Sequence, residues 1–70
     1  MAESDGELLT VEEAMSRLRI SRPTLYKLIN SGELLSMKLV GSRRIPAYAI
    51  RDYVMRRVEA ELAKINGGQS

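Results

Sequence analysis

Residues 10–32 hold two short helices in succession, each closed by its own local chemistry. Thr10-Val11-Glu12-Glu13 matches a capping box, in which the threonine hydroxyl and the glutamate carboxylate each satisfy one backbone N–H. Leu9 can staple onto Ala14 across that cap, and Val11, Ala14, Met15 and Leu18 recur at helical spacing. Ser21 is a second N-cap, and Pro23 sits in the first turn, where its missing N–H costs nothing. Leu25, Leu28 and Ile29 supply the inward face, and Gly32 suits the left-handed residue that stops a helix. The turn, Arg19-Ile20, is too short for the two helices to lie side by side as a long hairpin. They must cross steeply, which is the helix-turn-helix arrangement.

The period then changes. Leu35, Met37 and Leu39 alternate with Ser36, Lys38 and Val40, and Gly41-Ser42 is a turn dipeptide. Arg43-Arg44-Ile45 is the return strand, which puts Gly41, Ser42, Arg43 and Arg44 at or near a hairpin tip. Pro46 ends the ladder and opens a last helix over 47–65. In that helix Ile50, Tyr53 and Val54 are expected to close the core, while Val58, Leu62 and Ile65 lie beyond its reach. The fold class that follows is mainly α with a small β-hairpin, in the order helix, helix, hairpin wing, long helix. Residues 1–7 read as a disordered acidic tail, 8–65 as one domain and 66–70 as a frayed end.

Seventy residues leave room for one small core, usually worth ~3–5 kcal/mol without a staple. The chain has no cysteine and no histidine, which removes disulfides, thiolate metal sites and the commonest general base. Seven serines therefore have no histidine to activate them, and no phosphate-binding loop or dinucleotide fingerprint is present. The sequence reads as a non-enzyme, with no catalytic residues, metal or cofactor. No apolar run approaches a membrane span and no signal peptide opens the chain, so a cytoplasmic, nucleoid-associated location is expected.

The net charge of +2 says less than its distribution. Residues 1–16 carry five acids and no base, whereas residues 17–44 carry seven bases against Glu33. A basic middle is the footprint of a polyphosphate partner, although a solvated basic surface accounts for the charge equally well. The second helix adds the chemistry. Its spacing sets Arg22, Pro23, Tyr26, Lys27 and Asn30 opposite or beside the apolar stripe, with Thr24 near the helix start. Arginine and lysine pair with guanine edges or phosphates, and Ser21 with the free N–H groups of the first turn suits a phosphate oxygen. Ser21 is a cap in any case, and a phosphate contact can coexist with that. Tyr26 has two readings, a partial core residue or a groove contact, of which the second is preferred. Ser42, Arg43 and Arg44 on a glycine turn suit the narrow, electronegative minor groove; the plainer reading is a charged hairpin tip.

Leu9 to Ala14 (LTVEEA), Ile20 to Ile29 (ISRPTLYKLI), Ser31 to Leu34 (SGEL) and Val40 to Pro46 (VGSRRIP) resemble the excisionase-type, MerR-like winged helix-turn-helix domains. The resemblance runs from about Leu8 to Val54. It implies recognition-helix contacts at Arg22, Pro23, Thr24, Tyr26 and Lys27, and wing contacts at Ser42, Arg43 and Arg44. Excisionases, or recombination directionality factors, bind near attachment sites, bend DNA and steer an integrase towards excision. Members often occupy direct repeats head to tail. Three departures stand out: Arg19 where the family usually has glycine, Leu35 where proline is common, and a last helix that extends past the usual end near Val54 to about Ile65.

The expectation is a sequence-specific binder of double-stranded DNA, with residues 21–31 in the major groove and wing 41–44 in the minor groove. An excisionase role is favoured, with cooperative self-association on DNA and a tyrosine- or serine-type integrase as partner. The alternative is a small transcriptional regulator on an operator or its own promoter. A third reading makes the long last helix a protein-interaction surface.

Overall fold

The computed structural model describes residues 6–68, with side chains described as far as Ile65. The acidic tail expected over residues 1–7 lies mostly outside them, as do residues 69–70. Six elements follow in order: β1 (Leu8–Leu9), α1 (Val11–Leu18), α2 (Arg22–Asn30), β2 (Met37–Leu39), β3 (Ser42–Pro46) and α3 (Ala47–Gly68). The three strands form one antiparallel sheet in the order β1-β3-β2. With three helices beside it, this is a winged helix-turn-helix.

The caps form as the sequence dictates. Thr10 N–H donates to Glu13 Oε1 at 2.8 Å and Glu13 N–H donates to Thr10 Oγ1 at 3.1 Å, completing the box. Ser21 Oγ accepts from Thr24 N–H at 3.4 Å, a weaker version of the same cap. At the far end of α2, Gly32 takes φ 85°, and Glu33 N–H reaches back to the Leu28 carbonyl at 3.0 Å. That is the six-to-one bond of a glycine-stopped helix. Helix α1 ends the same way without a glycine: Arg19 stands at φ 55°, and Ile20 N–H donates to the Met15 carbonyl at 3.1 Å. The arginine in the family's glycine position thus takes the glycine's conformation.

Leu9, Leu25, Leu34 and Ile45 are the largest fully buried side chains. Each contributes roughly 1.5–3 kcal/mol relative to exposure. Val11 and Ala14 from α1 and Ala47, Ala49 and Ile50 from α3 complete the core, and Met15, Leu18, Ile20, Leu28 and Ile29 pack against it. Leu34, Ala47 and Ala49 are additions to the core expected from periodicity. Leu34 is drawn in because its N–H also donates to the Leu28 carbonyl, folding the segment after Gly32 back over α2.

Four expectations need correction. Leu8–Leu9 is not merely a lead-in to α1 but a third strand, pairing Leu8 with Pro46 and Leu9 with Ile45. Pro46 has no N–H to give, and its successor Ala47 donates instead to the Glu7 carbonyl at 2.9 Å. The hairpin turn falls one residue early. Leu39 pairs with Ser42, so Val40-Gly41 forms the two-residue loop, with φ 49° and 82°. Positive φ at both positions is the type I′ pattern that matches strand twist. Thirdly, Val54 stays exposed on α3, because the core ends one residue earlier at Tyr53. The last is the end of that helix, which continues past Ile65 through residues 66–68. Arg56 fastens α3 to the helix-turn-helix: its Nη2 donates to the Glu33 carbonyl at 2.7 Å and its Nε to Asp52 Oδ2 at 3.2 Å.

Candidate nucleic-acid interface

Helix α2 presents its polar side outward because Leu25 is fully buried and Leu28 and Ile29 are half-buried on the other. Ser21, Arg22, Pro23, Thr24, Lys27 and Asn30 are all exposed. Among the described residues, the Lys27 ammonium has no ion-pair or hydrogen-bond partner, so it is available to a ligand. Thr24 is less free, since its hydroxyl lies 3.0 Å from Ser21 Oγ. Of the first three residues of α2, Pro23 has no N–H and that of Thr24 is taken by Ser21. Only the Arg22 N–H remains there for an anion, fewer donors than the sequence suggested.

Arg22 and Tyr26 form a group with a residue the sequence reading left aside. Arg22 Nη2 donates to Glu12 Oε2 at 2.6 Å, joining the first turn of α2 to the first turn of α1. This bond and the charge behind it hold the Glu12 carboxyl below its ordinary range. The same contact raises the Arg22 guanidinium above its usual value, and the neighbouring Tyr26 hydroxyl adds to the effect. Tyr26 itself is half-buried against the core, with its ring packed and its polar end towards Arg22. Of its two readings, the partial core residue is the one the packing shows. Nothing in the spacing could have paired Glu12 with Arg22, because they lie ten residues apart on different helices. Only the crossing of α1 and α2 brings them together.

The hairpin corrects the sequence reading more sharply. Ser42 is exposed and is the first paired residue of β3, beside the loop rather than in it. Arg43 and Arg44 lie within the strand and are half-buried. Their alternation sends them to opposite faces of the sheet. Arg43 shares a face with Lys38 and the buried Ile45, and its Nη1 donates to Ser36 Oγ at 2.5 Å. Arg44 shares the other face with Met37 and donates to the Arg43 carbonyl at 3.3 Å. The tip itself is Val40, 98% exposed.

A capped helix with a polar outer face, buttressed by a first helix and flanked by a short hairpin, defines a winged helix-turn-helix DNA-binding module. Residues 8–58 match the family model described as "Helix-turn-helix domain", and the chain belongs to that family. Its excisionase-type character shows in two relatives. It is 48% identical over 48 residues to a protein named "Excisionase" from Streptomyces ambofaciens, covering 69% of this chain and 77% of that one. It is 45% identical over 56 residues to one named "Probable excisionase" from Saccharopolyspora erythraea, covering 80% of this chain and 57% of that one. No solved structure gives a significant match. Among the described residues, no helix is long and apolar enough to cross a membrane.

Proposed function

We propose that this protein is an excisionase: several copies bind adjacent sites on duplex DNA, bend it, and direct a partner integrase towards excision. The observation that carries the DNA-binding part is the outward face of α2, where Arg22, Thr24 and Lys27 stand exposed on a helix fixed at both ends. The names of the two relatives support the excisionase part. Residues 21–31 enter the major groove in this reading. The hairpin 41–44 lies against the backbone and minor groove, offering one arginine on each face. A domain of this size contacts too few base pairs to select a site alone, so selectivity comes from neighbouring copies on repeated sites. Its place is the cytoplasm, on the nucleoid.

The test is recombination in vitro with the cognate integrase and attachment sites, with and without the protein. Stimulated excision supports the proposal. Retarded duplex DNA without any change in recombination would favour occupation of an operator instead. Log affinity should fall linearly with log salt, with a slope of about −0.9 per phosphate contacted. Binding unaffected by salt, or absent at low salt, would defeat the DNA reading altogether.

A further inference from the structure

We propose that Glu12 is a specificity-determining residue: it positions the Arg22 guanidinium for one base pair and at the same time lowers affinity for DNA at large. This rests on the DNA-binding reading of α2. Glu12 and its neighbour Glu13 have separate tasks. Glu13 completes the cap, accepting from Thr10 N–H at 2.8 Å, so the cap does not need Glu12. Glu12 instead accepts from Arg22 Nη2 at 2.6 Å, and Tyr26 flanks the guanidinium from one turn further along α2.

A free arginine has rotamer entropy to lose when it makes a defined contact. A charge-assisted bond to a carboxylate removes part of that freedom beforehand. The guanidinium has five N–H donors, and Glu12 engages one end of the fork. The remaining donors can still address two acceptors on one base edge, the arrangement that recognises guanine O6 and N7. The carboxylate meanwhile stands next to a phosphate-binding surface. It repels phosphates of any sequence alike, so it weakens binding to all DNA and leaves the ratio between sites untouched. The ratio widens because the positioned guanidinium has less freedom to lose at the one site whose base edge it fits.

The experiment compares wild type, Glu12→Gln, Glu12→Asp, Arg22→Ala and the Glu12→Gln/Arg22→Ala double variant. The probes are a duplex enriched by the wild-type protein from a randomised pool and a scrambled duplex, at three salt concentrations. Glu12→Gln should bind scrambled DNA several-fold more tightly, while the ratio of enriched to scrambled affinity falls about tenfold. Glu12→Asp keeps the charge but is shorter. It should lower the ratio and leave scrambled affinity within twofold. Base preference should relax at the single position that Arg22→Ala also relaxes, and Glu12→Gln should leave the ratio unchanged in the Arg22→Ala background. Both single Glu12 variants are exposed and outside the cap, and a thermal melt verifies the fold. If Glu12→Gln strengthens binding to both duplexes equally with base preferences intact, Glu12 is only a nearby charge and the proposal is overturned. An undiminished effect in the Arg22→Ala background overturns it too. If wild type binds neither duplex at low salt, the DNA-binding reading itself fails.

Discussion

Helix α2 and the hairpin β2–β3 both carry basic side chains, and they hold them in opposite ways. On α2, Lys27 stands free among the described residues, and Arg22 is braced from outside by a glutamate on another helix. In the hairpin, Arg43 is tied to Ser36, Arg44 turns to a backbone carbonyl, and strand alternation sends them to opposite faces. The backbones differ in the same sense. Helix α2 stops at Gly32, where positive φ carries no steric penalty, whereas the hairpin turns through Val40 at φ 49°. Left-handed backbone is unusual for a β-branched residue, and the side chain there gains no packing in return. Equal charge in a sequence therefore does not mean equal freedom to bind. The basic groups of the helix face outward, and those of the hairpin are partly engaged in holding the hairpin itself.

The largest effect should come from the buried side of α2. Leu25→Ala removes a fully buried side chain and should cost about 2–5 kcal/mol, comparable with the whole stability of so small a core. Chemical denaturation should show the variant largely unfolded at 25 °C; a midpoint near wild type would mean α2 stands without its anchor. Next, Lys27→Ala should leave the melt unchanged and lose roughly 1–3 kcal/mol on a preferred site, with little change on scrambled DNA. Arg43→Ala with Arg44→Ala should weaken both duplexes more evenly. Because the two side chains face opposite ways, the salt slope should become shallower by about one unit, that of a single phosphate contact. Should the hairpin variant abolish sequence preference while Lys27→Ala keeps it, the division between reading and holding is reversed.

A smaller effect sharpens the backbone contrast. Val40→Asn replaces a strained, exposed residue with one that favours the left-handed region, and should stabilise the domain by about 0.5–1 kcal/mol. A fall in melting temperature would show that Val40 has a packing partner. The smallest effect concerns Glu12. Its folded-state pKa lies below the ordinary value, so the contribution of its ion pair is complete above the unfolded value and is lost as pH falls through the folded one. The small difference in melting temperature between wild type and Glu12→Gln at neutral pH should therefore vanish in acid below that lowered value. A difference that persisted there would show the carboxyl acting as a neutral hydrogen-bond partner.

Where a structural signal is local, the sequence by itself determined the outcome. A threonine, a glutamate three residues on and an apolar face at helical spacing define α1 within a single turn of chain. Ser21, Pro23 and Gly32 do the same for α2, so its length and outward side chains were legible before any tertiary contact. The hairpin was legible in kind but not in register. Gly41 meets the demand for positive φ, but whether its partner in the loop is Val40 or Ser42 depends on how the strands pair. Pairing depended in turn on Leu8–Leu9, a segment too short to announce itself as a strand until Ile45 and Pro46 lay beside it. The core boundary on α3 was likewise settled by what it packs against. Periodicity continues through Val54, Val58 and Leu62, but the two short helices and the sheet cover the helix only as far as Tyr53. The same holds at the interface. The sequence named Arg22, while the carboxylate that braces it comes from another helix. Meetings between residues distant in the chain are set by packing geometry, which local spacing does not encode.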